Sequence, residues 1–289
     1  MLDILSGMRA AQPSNDPCSL VPPYPKVTGG ATNQTFPDWD NPQGRVEVAL
    51  SSLTGTTKVF IQLGQSLATN CIDGTYAVSN PTKVLNLSIT NGAIYQGKDP
   101  WMGCTGYHPN LPGNPWPTGH WVGQLGDTIY SNKAFNTIWA TIGVGGSNIL
   151  DWQVGGGNNS RLAVTKRRLD RLGLTPNGVL FNQGTSNYGT LQAAYYAALM
   201  SMIGTIRGLW PTVPIFIAQE SRIGTGATSS EVRAAQAQAW DAGNYVYAGP
   251  DTDSLDATYR QSDSLHWNAS TGRAAVAGLW YSSLNGIVI

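Results

Sequence analysis

From Thr56 onward, compact apolar runs alternate with stretches of helical spacing. Thr57–Leu63 (TKVFIQL) is β-branched and apolar, the pattern of a strand buried on both faces. Val84–Ile89, Thr137–Val144, Gly178–Asn182, Val213–Ala218 and the short Tyr245–Ala248 are further predicted strands. Between them lie predicted helices. Gly119–Tyr130 places Leu125 three or four residues after Val122 and Trp121, and Ile129 four after Leu125, and Ser160–Leu172, Leu191–Leu209, Glu231–Ala242 and Ala269–Leu284 follow. Strands joined through helices of this length make right-handed crossovers, hence an α/β fold with a mostly parallel sheet covered on both faces. Such sheets hold their ligands at the C-terminal ends of the strands.

Residues 1–54 differ. Pro13, Pro17, Pro22, Pro23, Pro25, Pro37 and Pro42 fall among Asn, Gly and Thr, and only Asp3–Ala11 has a short helical pattern. The chain therefore divides into an extended Pro-rich N-terminal arm, 1–54, and a domain, 55–289. The arm could attach the domain to a larger assembly.

Composition narrows the function. With 289 residues the chain can bury a large core, and a 41% hydrophobic fraction excludes wholesale disorder. Charged residues are only 12% and cancel to a net of zero, so there is no basic stripe for nucleic acid. The one basic cluster, Lys166-Arg167-Arg168 with Arg171, reads as the solvated face of a helix. No run has the length of a membrane span, and Met1–Gln12, carrying Asp3 and Arg9, lacks the apolar core of a secretory signal. Cys18, Cys71 and Cys104 make no disulfide framework; a Cys71–Cys104 bridge and two reduced buried thiols both remain open.

The chemistry sits where strands end. After the first strand comes Gly64-Gln65-Ser66-Leu67, where a serine on a tight turn can expose its hydroxyl beside main-chain N–H donors. Gly145-Gly146-Ser147-Asn148, followed by Trp152, ends the Thr137–Val144 strand, and paired glycines let backbone donors approach a ligand. Gln183-Gly184-Thr185-Ser186-Asn187 ends Gly178–Asn182 and offers a side-chain amide. Asp263-Ser264-Leu265-His266-Trp267 precedes the last helix, and its carboxylate and imidazole, three residues apart, can face one pocket. Gly64-Gln65-Ser66-Leu67-Ala68 nearly fits a Gly-x-Ser-x-Gly elbow, but an acid three residues from its His argues against that fold.

These four blocks, within about residues 56–285, resemble the SGNH (GDSL-like) hydrolase superfamily, and more narrowly its sialate O-acetylesterase and acetylxylan-esterase-like branch. The resemblance implies a flavodoxin-like three-layer α/β/α sandwich, with Ser66 as nucleophile, His266 as general base and then acid, and Asp263 as its orienter. It implies an oxyanion hole from the N–H groups of Ser66 and of Gly145 or Gly146 and the side chain of Gln183. It implies no metal or cofactor, and an O-acetylated saccharide as substrate. Aromatic rings in the polar loop Asp99–Trp121 suit sugar stacking, so Trp101, Tyr107 and Trp116, with Asn187, are candidate substrate contacts. His108 and His120 lack a ligand cluster for metal. The sequence departs from the branch at Leu67, where it has Asn, and at Thr185 and Asn187, where it has Glu and Asp. Those departures leave a second reading open: a non-catalytic carbohydrate-binding or structural module, for example of a viral tail.

Overall fold

The computed structural model describes residues 42, 44–104 and 119–289. The remainder of the expected arm, and Tyr107, His108 and Trp116, lie outside the described residues. Among the described residues, seven strands form one sheet: β1 (Thr57–Gly64), β2 (Val84–Leu87), β3 (Ile94–Gln96), β4 (Asn136–Thr141), β5 (Gly178–Asn182), β6 (Ile215–Gln219) and β7 (Val246–Asp251). The helices are α1 (Val122–Lys133), α2 (Ile149–Trp152), α3 (Ser160–Arg171), α4 (Gln192–Leu209), α5 (Ser230–Gln238) and α6 (Gly272–Leu284). The spatial order is β3-β2-β4-β1-β5-β6-β7, parallel except for β3.

Alternation along the strands builds two cores. On β1, Val59, Ile61 and Leu63 join Val179 and Phe181 of β5 and the inner faces of α3, α4 and α5. Phe60 points the other way, into a cluster with Trp139, Leu180 and Phe216 under α1 and α6. A strand buried on both faces has no polar side to show, which is why its sequence is a continuous apolar run. Taken alone, β4-β1-β5-β6-β7 has the 2-1-3-4-5 order of the flavodoxin-like sheet, and its switch point lies between β1 and β5.

The predicted elements differ from the observed ones where backbone pairing intervenes. The Val84–Ile89 run stops at Leu87 because Ser88 starts a turn, with Ser88 N donating to Ala93 O and Gly92 N to Ser88 O. The chain returns as β3, antiparallel to β2. Val48 N donates to Ile94 O and Gln96 N to Val46 O, so the end of the Pro-rich stretch lies along β3. The helix expected to reach Ala242 ends at Gln238, since Asp241 exchanges two main-chain hydrogen bonds with Val246. In the basic cluster, Arg168 is not solvated: it is buried and donates to the carbonyls of Ile89 and Thr90. Lys166 pairs with Asp170 at 2.6 Å.

Gly64 ends β1 at φ +140°, and a Cβ there would lie 2.0 Å from the main-chain O of Asn182. Both strain and collision fall on the strand that carries the serine turn. Gly64→Ala is expected to lower stability by about 3 kcal/mol or more, read as a fall in the urea midpoint; an unchanged midpoint would mean that β1 and β5 part easily here.

Candidate active site

Ser66 opens a short 3-10 turn, Ser66–Ala68, directly after β1, and is 6% exposed. As the first residue of the turn, its N–H has no acceptor within it. The turn is held from several sides: Thr69 Oγ1 donates to Ser66 O at 2.8 Å, Trp121 Nε1 to Leu67 O at 2.8 Å and Gln62 Nε2 to Ala68 O at 3.0 Å. Leu67, where the resembling branch has Asn, is buried in the cluster with Trp121 and packs rather than facing a ligand.

The neighbouring Gln65 bridges the switch point. Its N–H donates to Asn182 O, and its Oε1 accepts from Ser186 N at 2.9 Å, Gly184 N at 3.3 Å and Gln183 Nε2 at 3.2 Å. The Gly145–Asn148 loop joins the same network. Ser147 Oγ accepts from Trp152 Nε1 at 2.9 Å, Gln183 Nε2 contacts Ser147 O at 3.4 Å, and Asn187 Oδ1 accepts from Ile149 N at 2.9 Å. Asn148 caps α2 in a reciprocal box with Asp151, which stiffens the loop after Gly145 and Gly146.

His266 Nδ1 lies 2.6 Å from Asp263 Oδ2, while Asp263 Oδ1 accepts from the N–H groups of Leu265 and His266. Burial alone would raise the Asp263 carboxyl, but the hydrogen bond and charge of His266, with those two N–H groups, outweigh it and hold it below the usual carboxylate range. The loop is pinned to the segment after Ser66: Gln261 Nε2 donates to Cys71 O at 2.6 Å and Ala269 N to Asp73 Oδ1 at 2.7 Å. Arg260, stacked on Trp267, donates to Leu265 O at 2.6 Å and fixes the residue before His266.

Three expectations change. Gln183 was expected to offer its amide to an oxyanion. It is fully buried, and its Nε2 donates to Asn187 Oδ1 at 2.6 Å with Gln65 and Ser147 as further acceptors, while Tyr195 OH donates to its Oε1 at 2.7 Å. Gln183 Nε2 thus has protein acceptors on three loops, at Gln65, Ser147 and Asn187. Trp101 was expected to meet substrate, but it is 0% exposed and sits in the core under α1 and α6. Asn187, expected beside it, is buried between Ile149, Gln183 and Thr190.

The sequence did not single out Tyr195, Arg260, Gln236 or Glu220, and gave no role to Gln65. The acidic side chain that the resembling branch has after Gln-Gly is Thr185 here, and Glu220, from the end of β6, lays its carboxyl 3.1 Å from the Thr185 hydroxyl. His120 is buried and pushed down to about 3 by burial; its Nδ1 accepts from Val122 N, so it is a neutral packing residue. Cys71 and Cys104 are free and buried, each pushed up to about 12 by burial, so no bridge joins them in this structure. Among the described residues no group of His, Cys, Asp or Glu is arranged to hold a metal ion. A pocket of about 530 Å³, lined by Lys58, Asn177, Trp210 and Pro214 among others, opens where β1, β5 and β6 begin, at the opposite end from Ser66.

No family model matches the sequence, and no curated protein matches it. Solved structures do match. A protein from Arabidopsis thaliana shares 18% identity and a TM-score of 0.59, covering 81% of this chain and 100% of its own. A carbohydrate acetylesterase from Xanthomonas citri shares 16% identity and a TM-score of 0.53, covering 80% of this chain and 56% of its own. At these identities the likeness is one of fold. The chain has a three-layer α/β/α architecture with a mostly parallel sheet, and shares its fold with these two structures.

Two outcomes follow from the site. Gln65→Leu removes the acceptor of three donors, one of them the buried Gly184 N–H, and is expected to cost about 2 kcal/mol or more in a denaturant titration; Gln65→Glu, which keeps an acceptor oxygen for these donors, should cost less. Because the folded Asp263 carboxyl is held below its ordinary value of 3.8, its contribution is present above that pH and is lost as the pH falls toward the folded value. Wild type should therefore lose stability on acidification more steeply than Asp263→Asn, as measured by thermal melts; parallel curves would contradict the ion-pair geometry.

Proposed function

We propose that the chain is a serine esterase that removes O-acetyl or similar short acyl groups from a carbohydrate through an acyl-serine intermediate. The observation that carries this reading is the 2.6 Å contact of His266 Nδ1 with Asp263 Oδ2. A carboxylate held ionised there takes the Nδ1–H, which fixes the tautomer and leaves Nε2 as the basic nitrogen. Nε2 takes the Ser66 proton as Oγ attacks the ester carbonyl, and the imidazolium is stabilised by Asp263. The oxyanion is held by the main-chain N–H groups of Ser66 and of Gly145 or Gly146. His266 then gives its proton to the leaving alcohol, and water, deprotonated by His266, releases the acid from Ser66.

Gln65, Gln183, Ser147 and Asn187 act one step back, by fixing the three loops that carry these donors. The choice of an acylated sugar rests on the resemblance of the four blocks and on the acetylesterase of like fold. Trp101 no longer supports it.

The test is hydrolysis of 4-nitrophenyl acetate and of acetylated xylo-oligosaccharides. Ser66→Ala is expected to lower kcat by about 10⁴-fold or more, and Asp263→Asn by about 10³- to 10⁴-fold. Gln183→Ala should lower kcat and stability together, because it leaves buried partners unmet. Full activity of Ser66→Ala would end the assignment. Absence of activity in wild type on every acyl ester tried would leave a non-catalytic module.

A further inference from the structure

We propose that Glu220 is a positioning residue that works in its neutral form, donating the proton that orders the Thr185 hydroxyl and with it the Gln183–Asn187 loop beside Ser66. The kinetic consequence rests on the esterase reading above; the proton assignment does not.

Glu220 follows β6 directly and is fully buried. Its backbone is locked to the loop: Glu220 N donates to Gln236 Oε1 at 3.1 Å, and Gln236 Nε2 donates at 2.8 Å both to Glu220 O and to Gln183 O. Gly184 lies so close that a Cβ on it would be 1.6 Å from Glu220 O. The backbone of Glu220 therefore cannot move away without moving the loop.

The protons can be counted at Thr185. Its Oγ1 lies 3.1 Å from Glu220 Oε1 and 3.0 Å from the main-chain O of Arg222. A hydroxyl has one proton, and a carbonyl only accepts. With Glu220 ionised, two acceptors compete for that single proton. With Glu220 protonated, Glu220 O–H donates to Thr185 Oγ1 and Thr185 O–H donates to Arg222 O, so each contact has a donor and an acceptor. Glu220 Oε2 is buried with no hydrogen-bond partner among the described residues, a costly place for a full charge.

The charges around the carboxyl agree. Asp253, after β7, repels an ionised Glu220, and Arg260 attracts it. Arg260 gives its N–H groups to the carbonyls of Leu255, Leu265 and Thr252 rather than to Glu220. Arg233 of α5 is engaged by Asp251 and Asp253, and Asp263 by His266. Tyr195 of α4 is pushed up by burial and, in part, by Glu220 itself, so it stays neutral. Arg222 is the remaining cation of this corner, and it adds to the field that lowers Arg260 after burial has done so. Burial first, and then Asp253, push Glu220 up to about 8, outweighing the Thr185 hydroxyl and N–H and the Arg260 charge, which favour the ionised form.

Ionisation would turn the Thr185 proton toward Glu220 and strip Arg222 O of its donor. The loop loosened is the one whose Gly184 and Ser186 N–H groups hold Gln65, next to Ser66. Activity should then fall on the alkaline side. Stability should move the same way: the folded carboxyl is pushed up to about 8 from an ordinary 4.5, so folding loses stability as pH rises through that window.

The experiment compares wild type, Glu220→Gln and Glu220→Ala. Glutamine keeps the shape and supplies an N–H to Thr185 without a charge. Difference infrared spectra, wild type minus Glu220→Gln, should show a carboxylic-acid carbonyl band at neutral pH that disappears on the alkaline side. The melting temperature of Glu220→Gln should exceed that of wild type by a margin that grows from about pH 5 to about pH 8. In kcat/KM profiles on 4-nitrophenyl acetate, Glu220→Gln should stay near wild type at neutral pH and lose the alkaline limb set by Glu220. Glu220→Ala should fall about tenfold, the rate equivalent of one lost hydrogen bond. If Glu220→Ala does not fold, the wild type and Glu220→Gln comparison decides alone. A missing acid band with a pH-independent melting margin, or a Glu220→Gln enzyme as impaired as Glu220→Ala, overturns the proposal. A protein with the band and the growing margin but no esterase activity supports the proton assignment and refutes the esterase reading.

Discussion

One side-chain oxygen, Oε1 of Gln65, holds the end of β1 to the end of β5. It accepts from Ser186 N, Gly184 N and Gln183 Nε2 across the switch point of the sheet. Parallel strands leave the backbone groups beyond their C-terminal ends without ladder partners, and a crevice opens where the order of crossovers reverses. Gln65 satisfies those groups from the residue next to Ser66. The serine turn, the Gly145–Asn148 loop and the Gln183–Asn187 loop thereby become one body, and the Asp263–His266 loop is pinned to it at Cys71 and Asp73.

The sparse charge of the chain is spent in the same way. Arg161, Arg168, Arg260 and Arg273 are all buried, and each gives guanidinium N–H groups to main-chain carbonyls: Ile142, Ile89, Leu265 and Gly74 are among the acceptors. A planar fork of donors suits carbonyls in irregular loops better than a lysine would. These arginines do not advertise an anionic ligand. They order the loops around the strand ends, where a catalytic geometry tolerates little error.

What the sequence made legible is what depends on local pattern. The run Gly178–Asn182 is a strand because it is apolar and bounded by turn residues, and β1 differs from its expected bounds only by Gly64. The Asp-x-x-His spacing likewise gave the His266–Asp263 contact, since three residues on a loop suffice to bring the two together. What stayed hidden depends on register. Gln183 and Gln65 meet only because Gly64 pairs with Asn182; from the chain alone each is a polar residue after a strand, and Gln183 reads equally well as a ligand donor. Trp101 looked exposed amid Gly and Pro, yet Asn70 fixes it from 31 residues away, accepting its N–H and donating to its carbonyl, and the ring turns into the core. Glu220 is a lone acid at a strand end, and its meaning appears only when Thr185 is brought to it. β3 escaped because three residues carry too short a pattern to read without the partner strand.

The central claim is that Ser66 is a nucleophile activated by its folded surroundings. A fluorophosphonate probe tests it directly, because such a reagent reacts with an activated serine and not with an ordinary hydroxyl. Peptide mapping after labelling of the native protein is predicted to find the adduct on Ser66, and to find none there after denaturation or in His266→Ala. Native protein that carries no adduct, or carries it on another serine, would contradict the account.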